Sequence, residues 1–322
     1  MSQKFLSIVT TVFNEKATIE DLVHRIESTM SSMSEHYDFE IILVDDGSKD
    51  SSLKIMKQMA KNDKRIRVIE LRRNYGQTAA LQAGLDSSRG EIIITLDADL
   101  QHFPEEIPQF LAKIDEGYDL VCGWRSQRVE GRIRRWPSRL ANLMIKQITN
   151  INIHDFGTTF RAYRSDIIKE LRLLGEFHRF LPALVVNMGG SVTEIPIQNI
   201  ERQLGKSNYG IGRTFGVFLD ILLLKFLTQY FDRPLRAFGK VGTVLFASGA
   251  LILGFLVVYA YATGIKAVRE RIGWFMISIM LLISSIQVLL AGILAEIMIR
   301  VYFTQEDRRV YRIYKEWNVD NL

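Results

Sequence analysis

Cysteine is almost absent from this chain. Cys122 is the only one in 322 residues, which excludes a disulfide framework and a cysteine-built zinc site and suits a reducing compartment. Proline is scarce too, with six in the whole chain, and there is no low-complexity stretch or internal repeat. No Gly-x-Gly-x-x-Gly turn follows the first apolar run, which counts against a dinucleotide site. A strong charge imbalance is also missing, the net charge being +5. Met1-Ser2-Gln3-Lys4 leads directly into an apolar strand, so no cleavable leader is expected.

Long apolar runs are present, and they are confined to one end. Residues 241–263 carry no charged side chain and are long enough to cross a bilayer as a helix. Residues 273–295 form a second such stretch, interrupted only by serines and Gln287, and the span is expected to run on past Glu296 to about residue 299. The nine residues between them, 264–272, allow only a hairpin, so both flanks of the pair are expected on one side of the membrane. Basic residues are more numerous in those flanks (Lys225, Arg233, Arg236 and Lys240 before, Arg300, Arg308, Arg309, Arg312 and Lys315 after) than in the loop, which holds Lys266, Arg269 and Arg271, and this favours cytoplasmic flanks. Residues 214–230 mix apolar positions with Asp220, Lys225 and Gln229. They read as an in-plane interfacial helix or as a helix packed on the soluble part. Gln287, deep in the second span, suits a bond to a neighbouring helix and hence self-association. The domain plan is a catalytic domain over 1–210, interfacial helices over 211–237, two spans within 238–300 and a cytoplasmic tail over 301–322.

The first two-thirds alternates short apolar runs with amphipathic stretches. Strands are predicted at 6–12, 39–44, 66–71 and 91–96, with helices at 18–33, 51–60 and 78–88 between them. Thr18 and Asp21 fit a capping box at the first helix. Such alternation implies an α/β fold with a largely parallel, doubly wound sheet, whose strand ends converge on one edge. At that edge the run Glu91–Leu96 ends in Asp97-Ala98-Asp99-Leu100-Gln101. Two carboxylates flanking one small residue suit a hard divalent cation that keeps positions open for phosphate oxygens. Taken alone, the same motif also reads as a solvated turn. Farther on, Arg128, Arg132, Arg134, Arg135 and Arg139 form a basic stretch around Trp136 and Pro137. A nucleic-acid patch is the first alternative, but with the apolar spans downstream a surface for anionic headgroups or an anionic lipid substrate is the preferred reading, and no nucleic-acid partner is expected.

Several motifs occur together and in order: Ser7-Ile8-Val9 to Asn14-Glu15, Val44-Asp45-Asp46-Gly47-Ser48, Arg73-Asn74-Tyr75-Gly76, Asp97-Ala98-Asp99-Leu100-Gln101, Gly123-Trp124-Arg125 and Phe160-Arg161-Ala162-Tyr163-Arg164. In this the chain resembles the membrane-bound branch of family-two glycosyltransferases, and is similar to dolichol-phosphate mannose synthases and bacterial polyprenyl-phosphate glycosyltransferases. The resemblance implies a GT-A fold, Rossmann-like with a mostly parallel sheet, followed by a two-helix transmembrane hairpin. It implies a nucleotide-sugar pocket built from Thr11, Phe13, Glu15, Asp46, Gly76, Asp97 and Ala98, closed by Arg202 and Lys206. Asp97, Asp99 and Gln101 would hold Mg²⁺ or Mn²⁺, and Arg125 and Arg139 would grip the acceptor phosphate. Asp99, Arg125, Asp155 and Arg161 are the implied catalytic residues, with Asp155 orienting sugar or acceptor or else simply capping its loop.

The reaction so implied is inverting transfer of one sugar, from a UDP-sugar by preference, to undecaprenyl phosphate at the cytoplasmic face of the inner membrane. The alternatives are a GDP-mannose:dolichyl-phosphate enzyme, a transferase of the same fold with a non-lipid acceptor, and a non-catalytic scaffold. Two departures stand out: Thr11 replaces a usual proline, and Thr158-Thr159 replaces a usual Ser-Gly or Gly-Asp. The Gln-x-x-Arg-Trp motif of processive synthases is missing, which argues against polymerisation.

Overall fold

A computed structural model describes residues 3–126, 151, 153–173, 175, 177–200, 234–263, 271–304 and 310–318, with side chains in the last long helix described as far as Met298. The arginine-rich stretch with Arg139, the segment holding Arg202 and Lys206, and the expected interfacial helix at 214–230 lie outside the described residues. The chain divides into two compact units, Met1–Leu222 with Arg309–Leu322, and Leu223–Arg308.

The first unit is built on strands β1 (Lys4–Val12), β2 (Tyr37–Asp45), β3 (Ile66–Leu71) and β4 (Ile92–Asp97). Their apolar, β-branched runs are buried almost throughout, as strands covered on both faces must be. The intervening helices α1 (Ile19–Ser31), α2 (Ser52–Asn62) and α3 (Gln77–Ser87) supply the parallel crossovers. Helix α1 buries Ile19, Leu22, Val23, Ile26 and Met30, the spacing of one helical face. Thr18 is its N-cap but forms no capping box: its backbone is already helical, and its hydroxyl turns back to donate to the Glu15 carbonyl at 3.2 Å.

After α4 (Ile107–Asp115) come β5 (Leu120–Arg125) and β6 (Arg161–Arg164), then the short helices α5 (Ser165–Ile168) and α6 (Leu181–Asn187) and strand β7 (Val192–Ile197). Past the second unit the chain returns as β8 (Ile313–Trp317). The sheet order is β7-β5-β6-β4-β1-β2-β3-β8. The four-strand centre is parallel, while β6 runs antiparallel to β4 and β5, and β8 antiparallel to β3. β8 thus lies in the segment read from sequence as a tail. Trp317 sits under the Lys57 ammonium at 4.1 Å from the ring centroid, and the Tyr311 hydroxyl donates to Asp86 at 2.8 Å.

The second unit is an antiparallel pair, α7 (Pro234–Thr263) and α8 (Ile272–Thr304). Both are long and apolar enough to cross a membrane. Their contact is made of small residues at seven-residue spacing. A Cβ on Gly242 would stand 2.9 Å from Leu289 Cγ, one on Gly249 3.0 Å from the Ser278 carbonyl oxygen, and one on Gly292 2.7 Å from Phe238 Cβ. Close backbone approach of this kind substitutes for the hydrophobic drive that lipid removes.

A buried polar knot ties the parallel strands together away from their C-terminal ends. Glu40 of β2 accepts from the Ser7 hydroxyl of β1 at 2.6 Å, from Arg67 Nη1 of β3 at 2.7 Å and from the Arg89 N–H at 2.8 Å. Ser7 and Glu40 are fully buried. The Gly90 N–H donates to Ser7 Oγ, and a Cβ at Gly90 would fall 2.4 Å from the Ser7 nitrogen, so only glycine fits. Arg67→Met leaves the Glu40 charge buried without its cation and is expected to destabilise the protein by about 3–5 kcal/mol. The measurement is the unfolding midpoint of the solubilised full chain.

Candidate active site

The parallel registers set the site. Thr11 stands level with Val44 on one side and with Asp97 on the other, so β1, β2 and β4 end in one row and release their polar residues together. At the β1 end, Asn14 adopts a left-handed φ of 58°. That turn lets its N–H donate to Ser48 Oγ at 3.0 Å and its Oδ1 accept from the Lys49 N–H at 2.7 Å. The Glu15 N–H donates to Ser52 Oγ. Phe13, between these anchors, is 42 % exposed.

At the β2 end Asp46 is buried. One of its oxygens accepts from the Tyr75 N–H at 2.7 Å and the other from the Gly76 N–H at 3.0 Å. Burial pushes its carboxyl above the usual range, against the pull of these two bonds. Gly47 (φ 72°) has no room for a side chain, since a Cβ would meet the Asn74 nitrogen at 2.6 Å. Asp46 therefore suspends the Arg73–Gly76 loop, which in turn starts α3.

At the β4 end, Asp97 Oδ1 accepts from Gln77 Nε2 at 2.9 Å and Oδ2 from Thr159 Oγ1 at 2.6 Å. Thr159 is itself fixed, because Thr95 Oγ1 donates to its carbonyl at 2.6 Å. Burial first, and then the Asp99 charge, push the Asp97 carboxyl up to about 6, with Thr159, Gln77 and Arg125 pulling it back. Asp99 accepts from the Gln101 N–H at 3.2 Å across Leu100, which takes a left-handed φ of 56°. Among the described residues no three His, Cys, Asp or Glu side chains gather as a metal cluster. Two crowded carboxylates with an amide oxygen nearby in sequence nevertheless fit Mg²⁺ or Mn²⁺, which take hard oxygen ligands and fill the remaining positions with water and phosphate. His102 is buried near Phe160, with ring centroids 5.8 Å apart. Burial, then Arg125, hold its imidazole down to about 4, so it is neutral at physiological pH.

Arg125, at the end of β5, makes a two-pronged pair with Asp155: Nε to Oδ2 at 2.7 Å and Nη2 to Oδ1 at 3.0 Å. Asp155 is 1 % exposed and also accepts from the Gly157 N–H at 3.0 Å. His154, beside it, bonds to Glu194 through both its backbone N–H and its ring, and stacks on Trp124 at 4.5 Å. Arg161 is placed differently from the other expected catalytic residues. It is buried, and its Nη1 and Nη2 donate to the His178 and Phe156 carbonyls at 2.6 and 2.9 Å. It holds the loop that carries Asp155 and presents no group to the strand ends through these bonds.

Sequence reasoning missed Gln77 and Glu194, and took Thr159 only as a departure from a family pattern. Gln77 lies 20 residues before its partner Asp97, and only its place directly after the Tyr75-Gly76 turn could have drawn notice. A pH test of the Asp97 arrangement follows. Because its carboxyl is raised, protons compete with the cation, and Mn²⁺ affinity is expected to fall as pH drops through about 6. Thr159→Val removes a bond that favours the carboxylate, so the fall should begin at higher pH. Calorimetric Mn²⁺ titrations across pH 5–8 check both, and a flat profile would contradict them.

Comparison with known proteins accords with this geometry. Residues 7–172 match the family described as Glycosyl transferase family 2. The chain is 40 % identical over 306 residues to the dodecaprenyl-phosphate galacturonate synthase of Rhizobium johnstonii, covering 94 % of this chain and 89 % of that one. It is 36 % identical over 299 residues to the undecaprenyl-phosphate 4-deoxy-4-formamido-L-arabinose transferase of Pseudomonas aeruginosa, covering 92 % and 86 %. Among solved structures, glucosyl-3-phosphoglycerate synthase from Mycobacterium tuberculosis, in complex with Mn²⁺, uridine diphosphate and phosphoglyceric acid, shares the fold with a TM-score of 0.52 at 16 % identity, over 70 % of this chain and 78 % of that one. A parallel sheet ending in paired carboxylates, and close relatives over nine-tenths of the chain, make this protein a glycosyltransferase that belongs to glycosyl transferase family 2.

Proposed function

We propose that this glycosyltransferase moves one sugar from a UDP-sugar to polyprenyl phosphate, with inversion and with a divalent cation, at the cytoplasmic face of the inner membrane. The observation that carries the reading is the pairing of two sites on one sheet edge, the Asp97–Asp99 carboxylates and the Arg125–Asp155 pair, in a chain with two helices fit to span a bilayer. The acceptor follows the Rhizobium and Pseudomonas relatives, both of which are described as acting on a polyprenyl phosphate. The cation and the uridine nucleotide follow the Mycobacterium neighbour.

In this reading the nucleobase lies by Phe13, with Thr11, Glu15 and the Asp46-supported loop at Gly76 forming the rest of its pocket and Ala98 at the sugar. Asp97, Asp99 and Gln101 would hold Mg²⁺ or Mn²⁺, which when bound would offset negative charge on the diphosphate. Gln77 and Thr159 keep Asp97 aimed. Arg202 and Lys206 close on the diphosphate, and Arg139 joins Arg125 on the acceptor. Asp155 holds the Arg125 guanidinium in one plane, so that its fork meets a phosphate without a search through rotamers. A phosphate oxygen attacks the anomeric carbon as the bond from that carbon to the diphosphate oxygen breaks, and the nucleoside diphosphate leaves. No general base is required, because a lipid monophosphate has its second pKa near about 6 and is already an anionic nucleophile at neutral pH. Asp155, bonded to Arg125 and Gly157, serves as a positioning residue. Residues before and after the hairpin belong to one sheet, which supports flanks on the same side of the membrane, and Arg236 and Lys240 in the leading flank favour the cytoplasmic side.

Radiolabelled transfer tests the reaction. With purified protein, undecaprenyl phosphate, Mn²⁺ and a panel of UDP- and GDP-sugars, label from one UDP-sugar is expected in the organic-extractable lipid and should be abolished in Asp99→Ala. Metal-dependent nucleotide binding with no lipid label from any donor would sink the acceptor assignment, and label from a GDP-sugar alone would sink the UDP assignment. Asp155→Asn should raise KM for the lipid phosphate by about 10- to 100-fold, the worth of a charge-assisted bond, while leaving nucleotide affinity unchanged. An equal loss of nucleotide binding would remove Asp155 from the acceptor side.

A further inference from the structure

Helix α8 has two faces of opposite character. Toward α7 it presents Ser278, Ser285 and Gly292, all buried and seven residues apart. Ser278 and Ser285 satisfy their hydroxyls within the helix, donating to the Phe275 and Leu282 carbonyls at 2.7 Å. Near the opposite side lie Met276, Met280, Ile283, Gln287, Leu290 and Leu294, which repeat at alternating steps of four and three residues. Every one of them is exposed in the hairpin, the five apolar ones between 52 and 63 %. Such alternation is the seam pattern by which one helix packs along another.

Gln287 stands in the middle of that seam. It is 15 residues from the start of the Ile272–Met298 span and 11 from its end, so at about 1.5 Å per residue its Cα lies within about 3 Å of mid-depth. Its amide makes no side-chain hydrogen bond to another described residue. A primary amide in hydrocarbon leaves donors and acceptors unmet, whereas lipid tails offer neither. The amide is self-complementary, however: its N–H₂ and C=O can each be answered by the same group on an identical helix. A polar residue at one seam position, with apolar residues above and below, also fixes register.

We propose that the Gln287 face of α8 is a self-association surface, on which a second copy of this chain docks its own α8, with the two Gln287 amides bonded to each other near mid-membrane. This rests on the two helices lying in a bilayer and is independent of which sugar, nucleotide or acceptor the enzyme uses.

The test uses the full chain in liposomes. Subunit counting by single-molecule photobleaching, across a dilution series in lipid, should give oligomers for the natural protein. Gln287→Leu should weaken association by about 3- to 30-fold, the range for interhelical polar bonds in membranes, with Gln287→Asn falling between. Cys122 is buried, so a cysteine introduced in α8 is the reactive thiol. Under copper-phenanthroline oxidation Gln287→Cys and Met280→Cys should form disulfide-linked dimers, whereas Phe255→Cys, exposed on α7, should not. Equal cross-linking from all three positions, undiminished association of Gln287→Leu, or a natural protein that is monomeric at every dilution would each overturn the proposal.

Discussion

Everything at the candidate site depends on the parallel register of β1. Thr11 is level with Asp97 across one seam and with Val44 across the other, and that places Asp46, Asp97 and Asp99 on the same edge. A slip of one residue on either side would turn alternate side chains through the sheet and bury one of these carboxylates in the core. The knot at Ser7, Glu40 and Arg67 joins β1, β2 and β3 in their buried part, and the Gly90 N–H just before β4 donates to Ser7 as well. It resists such slippage because a displaced strand would leave a buried charge unanswered. The polar network in the middle of the sheet and the functional residues at its edge are two ends of one constraint.

The protein treats its charges differently at these two places. Inside the sheet, Glu40 has a guanidinium 2.7 Å away. At the edge, Asp46 and Asp97 are held by neutral donors, two backbone N–H groups for one and an amide and a hydroxyl for the other. Neutral donors orient a carboxylate without cancelling its charge. Burial raises both carboxyls in spite of these bonds, and the negative potential remains for a cation. Arg125 is the reverse case: its carboxylate partner is 1 % exposed, so the guanidinium is pinned from behind.

The edge was legible in the sequence because each strand announces its own end. Val44-Asp45-Asp46-Gly47 and Leu96-Asp97-Ala98-Asp99 switch from apolar to acidic within one residue, and a parallel sheet collects such switches on one side. What could not be read were contacts that topology makes between distant segments: Gln77 with Asp97, Thr159 with both Asp97 and Thr95, and Arg125 with Asp155 across 30 residues. Arg161 sits in a family motif, yet the motif does not say that its Nη1 and Nη2 are taken by two buried carbonyls. Thr18 and Asp21 have capping-box spacing, but Thr18 is already helical and its hydroxyl faces backward. β8 was hidden for a further reason. Tyr314, Lys315 and Glu316 break any apolar run, and an edge strand held by Trp317 and by backbone pairing with β3 needs none.

The position of β8 imposes an order on biosynthesis. β3 is made early and β8 last, with both apolar helices between them in the chain. Until residues 313–317 leave the ribosome, β3 has a bare edge of unpaired N–H and C=O groups, the kind that recruits other strands. The sheet is therefore finished only after both apolar helices have been synthesised. A chain interrupted before residue 313 would carry an open sheet edge at β3.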